Sequence, residues 1–213
     1  RTPHPCLACN DVIKFRFLLE RALAMDADYV ATGHHARLLH SNDRYHLLSG
    51  IDSSKDQSYV LFTLRQQELE RTLLPVGGYT KVEIRDLARN AGLLVAGKPD
   101  SQEICFIPSG DYRQFLAERI TPTPGDIVDT DGNVLGRHQG IEGFTVGQRR
   151  GLGVASGRPL FVLSVDADRH RIVVGPAEGL FQDTLRASQV NYPAANPEGP
   201  VEVQAKVRYN ARQ

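Results

Sequence analysis

The hydrophobic period of this chain changes near residue 121, and that change limits the folds open to it. Upstream, apolar residues recur at helical spacing between short apolar runs. Thr80 and Glu83 form a capping box, Ile84, Leu87, Ala88 and Ala91 give the buried stripe, and Gly92 supplies the stop. Downstream, "DIVDTDGNVLG" and "LFVLSVDADRHRIVVGP" read as hairpins, and "VEVQAKVRY" alternates with period two. The pattern predicts an α/β part followed by β-rich parts, with segments 1–110, 111–186 and 187–213.

Within the first segment, Asn10 or Asp11 caps a helix whose buried positions are Ile13, Phe17, Leu18, Ala22 and Met25. "DYVATGHH" reads as a short buried strand that ends in a turn at Gly33. A helix feeding such a strand is the unit of an open α/β sheet, where ligands sit beyond the strands' carboxyl ends. Residues 36–49 read as a hairpin turning on Ser41, Asn42 and Asp43, and residues 54–74 as helical. A further helix is expected to start at Asp111, bury Phe115 and Leu116, and end at "TPTPG".

The chain has 213 residues, enough to bury one large core or two small ones. Lys+Arg and Asp+Glu both count 25, so contact with a polyanion must come from local patches. No apolar run approaches the roughly 20 residues that cross a bilayer, and no membrane partner is expected. An odd number of cysteines, three, without a hydrophobic signal segment argues for a reducing compartment with free or ligating thiols. A start at Arg1 and an end on "RYNARQ" suggest a piece of a longer protein.

Cys6 and Cys9 form a C-x2-C in a loop expected to be stiffened by Pro3 and Pro5. A structural zinc site wants four ligands, and a second C-x2-C is missing. With Cys105 as third thiolate, the set could hold an iron-sulfur cluster with one iron open. Cys105 stands between Ile104 and Phe106, which favours a buried thiol, yet it follows the polar run from Asp100 to Glu103, where a thiolate would be reachable. In "ATGHHA", Gly33 permits close approach to a phosphate or base. On a strand, His34 and His35 would face opposite ways, and a plain surface histidine is the alternative. "SSKDQSY" is either a functional loop or a helix start capped by Ser54 or Asp56. "GQRRGLG" sets two arginines between glycines, suited to phosphate or to a solvated turn.

Taken in order, "RTPHPCLACNDVIKF", "DADYVATGHHAR", "GIDSSKDQSYVLFTL", "LPVGGYTKVEIRDLARNAGL", "DSQEICFI", "FTVGQRRGLG" and "AKVRYNARQ" closely resemble the tRNA-specific 2-thiouridylases, the tRNA-uridine 2-sulfurtransferases. The resemblance implies a partial adenine-nucleotide α-hydrolase-like (ATP pyrophosphatase) parallel-sheet domain with a helical insertion in 1–110. It further implies a small central domain in 111–186 and the start of a C-terminal β-barrel in 187–213. It implies ATP with Mg2+, tRNA as substrate, a sulfur-relay protein or cysteine desulfurase as partner, and a cytoplasmic or organellar-matrix location. The family's SGGxDS nucleotide loop would lie upstream of Arg1, so the chain alone is expected to be inactive.

By the same resemblance, Cys105 matches the persulfide carrier and Cys9 its partner nucleophile, while Gly33 matches a backbone contact to ATP. His34, Lys55, Asp56, Gln57, Arg208 and Tyr209 match positions that touch tRNA, and His4, Pro5 and Cys6 fall where the family's loop meets the target base. Persulfide chemistry suits the task, because its terminal sulfur attacks an adenylated C2 and thiol exchange then frees the product. Three positions depart from the family: Cys6 stands where many members have Asp, His4 where they have Asn, and His35 where Tyr is expected. Cys6 keeps open the alternative of a cluster held by Cys6, Cys9 and Cys105. A further alternative is a tRNA-binding piece without catalysis.

Overall fold

The computed structural model describes residues 5–98, 105–107, 111–193 and 196–205. These fall into two compact units, one made of residues 105–187 and the other of residues 5–98 with 188–205. His4, Arg208 and Tyr209 lie outside the described residues. Among those residues no helix is long and apolar enough to cross a membrane.

Pro5 opens the first helix, where its missing N–H costs nothing. Helix α1 (Pro5–Ala8) runs on through a π-helical stretch (Cys9–Leu18) into α2 (Leu19–Leu23). The expected Asn10 or Asp11 cap is therefore wrong, and Cys6 and Cys9 sit on a helix rather than in a proline-stiffened loop. The expected buried stripe is wrong as well: Ile13, Phe17, Leu18 and Met25 are exposed. A π-helix closes i→i+5 bonds, so the buried positions step by five and then four, from Asn10 to Phe15 to Leu19. A 3.6-residue period picks the wrong face of such a helix.

Strand β1 (Val30–Ala31) pairs in parallel with β4 (Thr72–Leu73), the parallel arrangement expected of an α/β unit. Strands β2 (Ala36–Ser41) and β3 (Arg44–Ser49) form the hairpin. Its two-residue turn has positive φ at both Asn42 (51°) and Asp43 (55°), the type I′ geometry that matches strand twist. Residues 54–74 do not make the expected helix. They form a turn, a 3-10 helix (Ser58–Leu61), the short α3 (Gln66–Glu70) and β4. Val60, Leu61, Leu64 and Leu69 all enter the core with Phe15 and Ala36, and β4 must extend to pair with β1.

Helix α4 (Lys81–Asn90) has the full Thr80–Glu83 capping box and stops at Gly92, whose φ is +70°. None of its residues is fully buried; Ile84 and Ala88 are half-buried, and Leu87 and Ala91 are exposed. The returning segment is strapped to this unit: Asn191 Nδ2 donates to the carbonyls of Phe62 and Leu64, both at 2.8 Å, and Gln66 Nε2 donates to Pro193 O. Residues 201–205 of the expected strand are not in a strand, and the rest of that stretch lies outside the described residues. An extended segment needs a neighbouring chain to satisfy its backbone groups.

In the other unit, Asp111 Oδ1 accepts from the Gln114 N–H at 3.0 Å and starts α5 (Tyr112–Ala117), which half-buries Phe115 and Leu116. The two expected hairpins are present: β5 (Gly125–Val128) with β6 (Val134–His138), and β7 (Phe161–Asp166) with β8 (Arg171–Gly175). A parallel β5–β8 pairing joins them into one mixed sheet of order β6-β5-β8-β7, over a core of Ile127, Leu152, Leu160, Val162, Ile172 and Val174. Among the described residues this sheet does not close on itself.

Two adjacent glycines offer a test of the first unit. A Cβ at Gly77 would fall on the Ala36 carbonyl, whereas one at Gly78 would meet nothing within 4 Å. Gly77→Ala is expected to cost about 3 kcal/mol in urea unfolding and Gly78→Ala less than about 0.5 kcal/mol.

Candidate functional site

In the first unit, two distant stretches gather around the loop that ends in the Ser58–Leu61 turn. The helix carrying Cys6 and Cys9 reaches it through Asn10, whose buried Nδ2 donates to Val60 O at 3.4 Å. The turn at Gly33 reaches it through Gln57. The Gln57 N–H donates to the His35 carbonyl at 2.9 Å, and Gln57 Oε1 accepts the His35 N–H at 3.0 Å. This reciprocal pair fixes the Gly33–His35 backbone against the "SSKDQS" loop. The loop is braced by its own carboxylates. Asp56 accepts from the N–H groups of Gly50 (2.9 Å) and Ser58 (3.2 Å) and from Ser58 Oγ, and Asp52 accepts from Ser54 and from the Lys81 N–H at 3.0 Å. Those bonds, led by the Ser54 hydroxyl, hold the Asp52 carboxyl below the usual carboxylate range. Neither Ser54 nor Asp56 caps a long helix. Lys55, half-buried, stands between the two braced acids.

Gly33 is exposed, its φ is outside the left-handed region, and a Cβ there would meet nothing within 4 Å. The fold itself gives no reason for a glycine, so the bare backbone is open to an external group. His34 and His35 are not on a strand and do not divide between surface and core: both are buried, at 6% and 7% exposure. The surface-histidine alternative is overturned. His34 packs beside Phe15, with ring centroids 6.0 Å apart, and its Nδ1 lies 2.8 Å from Thr32 Oγ1. Burial, with the Lys14 ammonium adding to it, lowers its pKa to about 4. His34 is a neutral imidazole at neutral pH. Asn10, Thr32 and Lys14 were not legible as site residues; the one hint was that Asn10 directly follows the C-x2-C.

All three thiols are free: Cys6 and Cys105 are exposed and Cys9 is half-buried. Exposure of Cys105 overturns its reading as a core residue. The turn is anchored instead by buried Ile107, while the half-exposed Phe106 ring packs tilted against Phe115 with centroids 5.7 Å apart. Cys6 and Cys9 belong to one unit and Cys105 to the other. Among the described residues, no three His, Cys, Asp or Glu side chains gather closely enough to hold a metal ion.

Residues 1–109 match the family model described as the tRNA methyl transferase HUP domain. The chain belongs to this family. Residues 113–176 match the companion tRNA methyl transferase PRC-barrel domain, so the HUP-domain part precedes the PRC-barrel part, and the second unit's mixed sheet belongs to the latter. Several curated relatives carry the name tRNA-specific 2-thiouridylase MnmA. That of Heliobacterium modesticaldum is 51% identical over 99% of this chain and 56% of its own length. That of Natranaerobius thermophilus is 47% identical over all of this chain and 59% of its own length. That of Carboxydothermus hydrogenoformans is 49% identical over all of this chain and 60% of its own length. The chain thus spans under two thirds of the length of these relatives.

Buried, neutral His34 gives the HUP-domain unit a pH signature. Its folded pKa of about 4 lies below the unfolded value of 6.5. The unfolded chain takes up this proton first, so the His34 contribution is intact above pH 6.5 and is lost as pH falls from 6.5 toward 4. Unfolding midpoints measured across that window are expected to fall less steeply for His34→Gln than for the parent, and the His34 ring should titrate near pH 4 by NMR.

Proposed function

We propose that this chain is part of a tRNA-uridine 2-sulfurtransferase that uses ATP to replace the C2 oxygen of the wobble uridine with sulfur. Exposed Cys105 is the observation that carries the reading: its turn is anchored by buried Ile107 and leaves the thiol in solvent, where a donor protein can load it. The family description speaks of methyl transfer and the relatives' names of thiolation. In the pair assigned to catalysis, exposed Cys105 and half-buried Cys9 suit sulfur carriage, in which one takes up the atom and the other releases it.

In this reading the uridine O2 attacks the α-phosphate of ATP and pyrophosphate leaves, which turns a poor leaving group into AMP. The terminal sulfur of a Cys105 persulfide attacks C2 and AMP departs. Cys9 thiolate then attacks the Cys105 sulfur; the S–S bond to the base breaks, its electron pair goes to the product sulfur, and a Cys9–Cys105 disulfide remains. A thiol reductant then reopens the disulfide by the same exchange. The scheme requires the two sulfurs to meet during turnover.

Gly33, with its open backbone, is assigned to ATP, and an SGGxDS loop ahead of Arg1 would hold the phosphates with Mg2+. Pro5, Cys6 and His4 are assigned to the target base. Lys55 and Gln57, with Arg208 and Tyr209, are assigned to tRNA. Asp56 spends its oxygens bracing the loop, and His34, being buried, shapes the surface rather than carrying charge. Residues 187–213 are assigned to the start of a C-terminal β-barrel, and the enzyme to the cytoplasm.

The test uses the full-length enzyme with tRNA, ATP and a persulfide donor, with 2-thiouridine read by mass spectrometry. Cys105→Ser and Cys9→Ser are each expected to lose at least about 10³-fold in rate, with the double variant no worse, because the pair acts as one unit. Persulfide should still accumulate on Cys105 in Cys9→Ser. Cys6→Ser, at a position that touches the base but carries no sulfur, should lose less than about tenfold and still load persulfide on Cys105; its inactivity together with stoichiometric bound iron would replace this scheme by the cluster at Cys6, Cys9 and Cys105.

A further inference from the structure

The "GQRRGLG" loop is built to hold two arginines away from the fold. Gly147, Gly151 and Gly153 all take left-handed φ (84°, 72° and 70°), which only glycine adopts cheaply. Main-chain bonds hang the loop on β7: the Gly147 N–H donates to Val162 O at 2.7 Å and the Val162 N–H to Gln148 O at 2.9 Å. Gln148 locks it from within, with Oε1 accepting the Thr145 N–H at 3.0 Å and Nε2 donating to Arg150 O at 2.9 Å. Leu152 is buried in the core as the anchor. Arg149 and Arg150 are exposed and form no ion pair among the described residues. So constrained a backbone around two unneutralised guanidiniums is poorly explained by folding alone.

Directly after these arginines, Gly151, Leu152 and Gly153 line a cavity of about 340 Å³ within the same unit. Its walls include Phe144, Ile120, His138 and Glu142. His138 Nε2 lies 3.0 Å from the His170 carbonyl, which only accepts, so Nε2 carries the proton and Nδ1 is an acceptor. That Nδ1 is buried without a hydrogen-bond partner among the described residues. Glu142 supplies an exposed acceptor at the rim. A carboxylate and an aromatic ring at a largely apolar cavity disfavour phosphate there and suit a flat heterocycle with N–H donors, while the guanidiniums outside suit phosphate.

We propose that this cavity and the two arginines form a binding site for single-stranded RNA, with backbone phosphates on Arg149 and Arg150 and one unstacked base in the cavity against Phe144. The proposal rests on the reading of the chain as part of a tRNA-acting enzyme and adds to it a base-holding site in the PRC-barrel unit. The site shares α5 with the Cys105 turn: Leu116 and Ala117 of this helix line the cavity, and its Phe115 packs against Phe106.

The test measures binding of a fluorescent single-stranded RNA oligomer to the full-length protein as a function of salt. Arg149→Ala with Arg150→Ala is expected to reduce the slope of log K against log salt by about 1.4, two phosphates at roughly 0.7 each. Phe144→Leu, checked for an unchanged fold by circular dichroism, is expected to weaken binding about 5- to 150-fold without changing that slope. A 5-iodouridine oligomer should crosslink within residues 137–153. An unchanged slope in the double arginine variant overturns the site, and equal affinity for an abasic oligomer overturns the base-holding cavity. Normal binding changes alongside absent thiolation would sink the sulfurtransferase reading and leave this site standing; normal thiolation with an unchanged slope would do the reverse.

Discussion

Two hydrogen bonds between Gln57 and His35 hold the first unit's site together, one between main chains and one from the His35 N–H to the Gln57 side chain. They join two stretches of chain that have no secondary structure in common, at the main-chain groups of buried His35, whose loss is costly. Close backbone approach completes the clamp. A Cβ at Gly50 would come within 2.7 Å of the His35 carbonyl, and Gly77 lies against that of Ala36. Because the Gly33–His35 backbone is fixed from both sides, the exposed peptide at Gly33 has a defined position relative to Lys55 and Gln57. The carboxylates of Asp52 and Asp56 extend the same framework to α4 and to Gly50.

The two units solve the problem of presenting reactive or charged groups in different ways. In the HUP-domain unit, the first helix abandons α winding so that Asn10 and Phe15 both turn inward, Phe15 beside His34, leaving Cys9 half-buried and Cys6 exposed. In the PRC-barrel unit, left-handed glycines and one buried leucine hold an arginine pair outward. Both arrangements surrender local backbone preference, which is the usual mark of a segment shaped for something outside itself.

Much of the fold was legible because its signals are local. The Asn42–Asp43 turn, the Thr80–Glu83 box with Gly92, the Asp111 cap and the hairpins of the second unit each depend on residues a few positions apart, and each is present. The first helix was misread because periodicity assumes 3.6 residues per turn, and residues 54–74 because core packing and the β1–β4 pairing override their helical pattern. Burial of both histidines was hidden for the same reason: their alternation would hold on a strand, and the strand ends at Ala31.

By itself the sequence determined which residues could carry chemistry, the order of an α/β part before a β-rich part, and the turns and caps that local hydrogen bonding dictates. Only the tertiary structure decided which of those residues are reachable. It exposed Cys105 although apolar residues flank it, buried His34 until it is neutral, and left Arg149 and Arg150 exposed without an ion pair among the described residues, one position ahead of a cavity wall. Reachability depends on what packs against a side chain from elsewhere in the chain, and no local pattern encodes those distant partners.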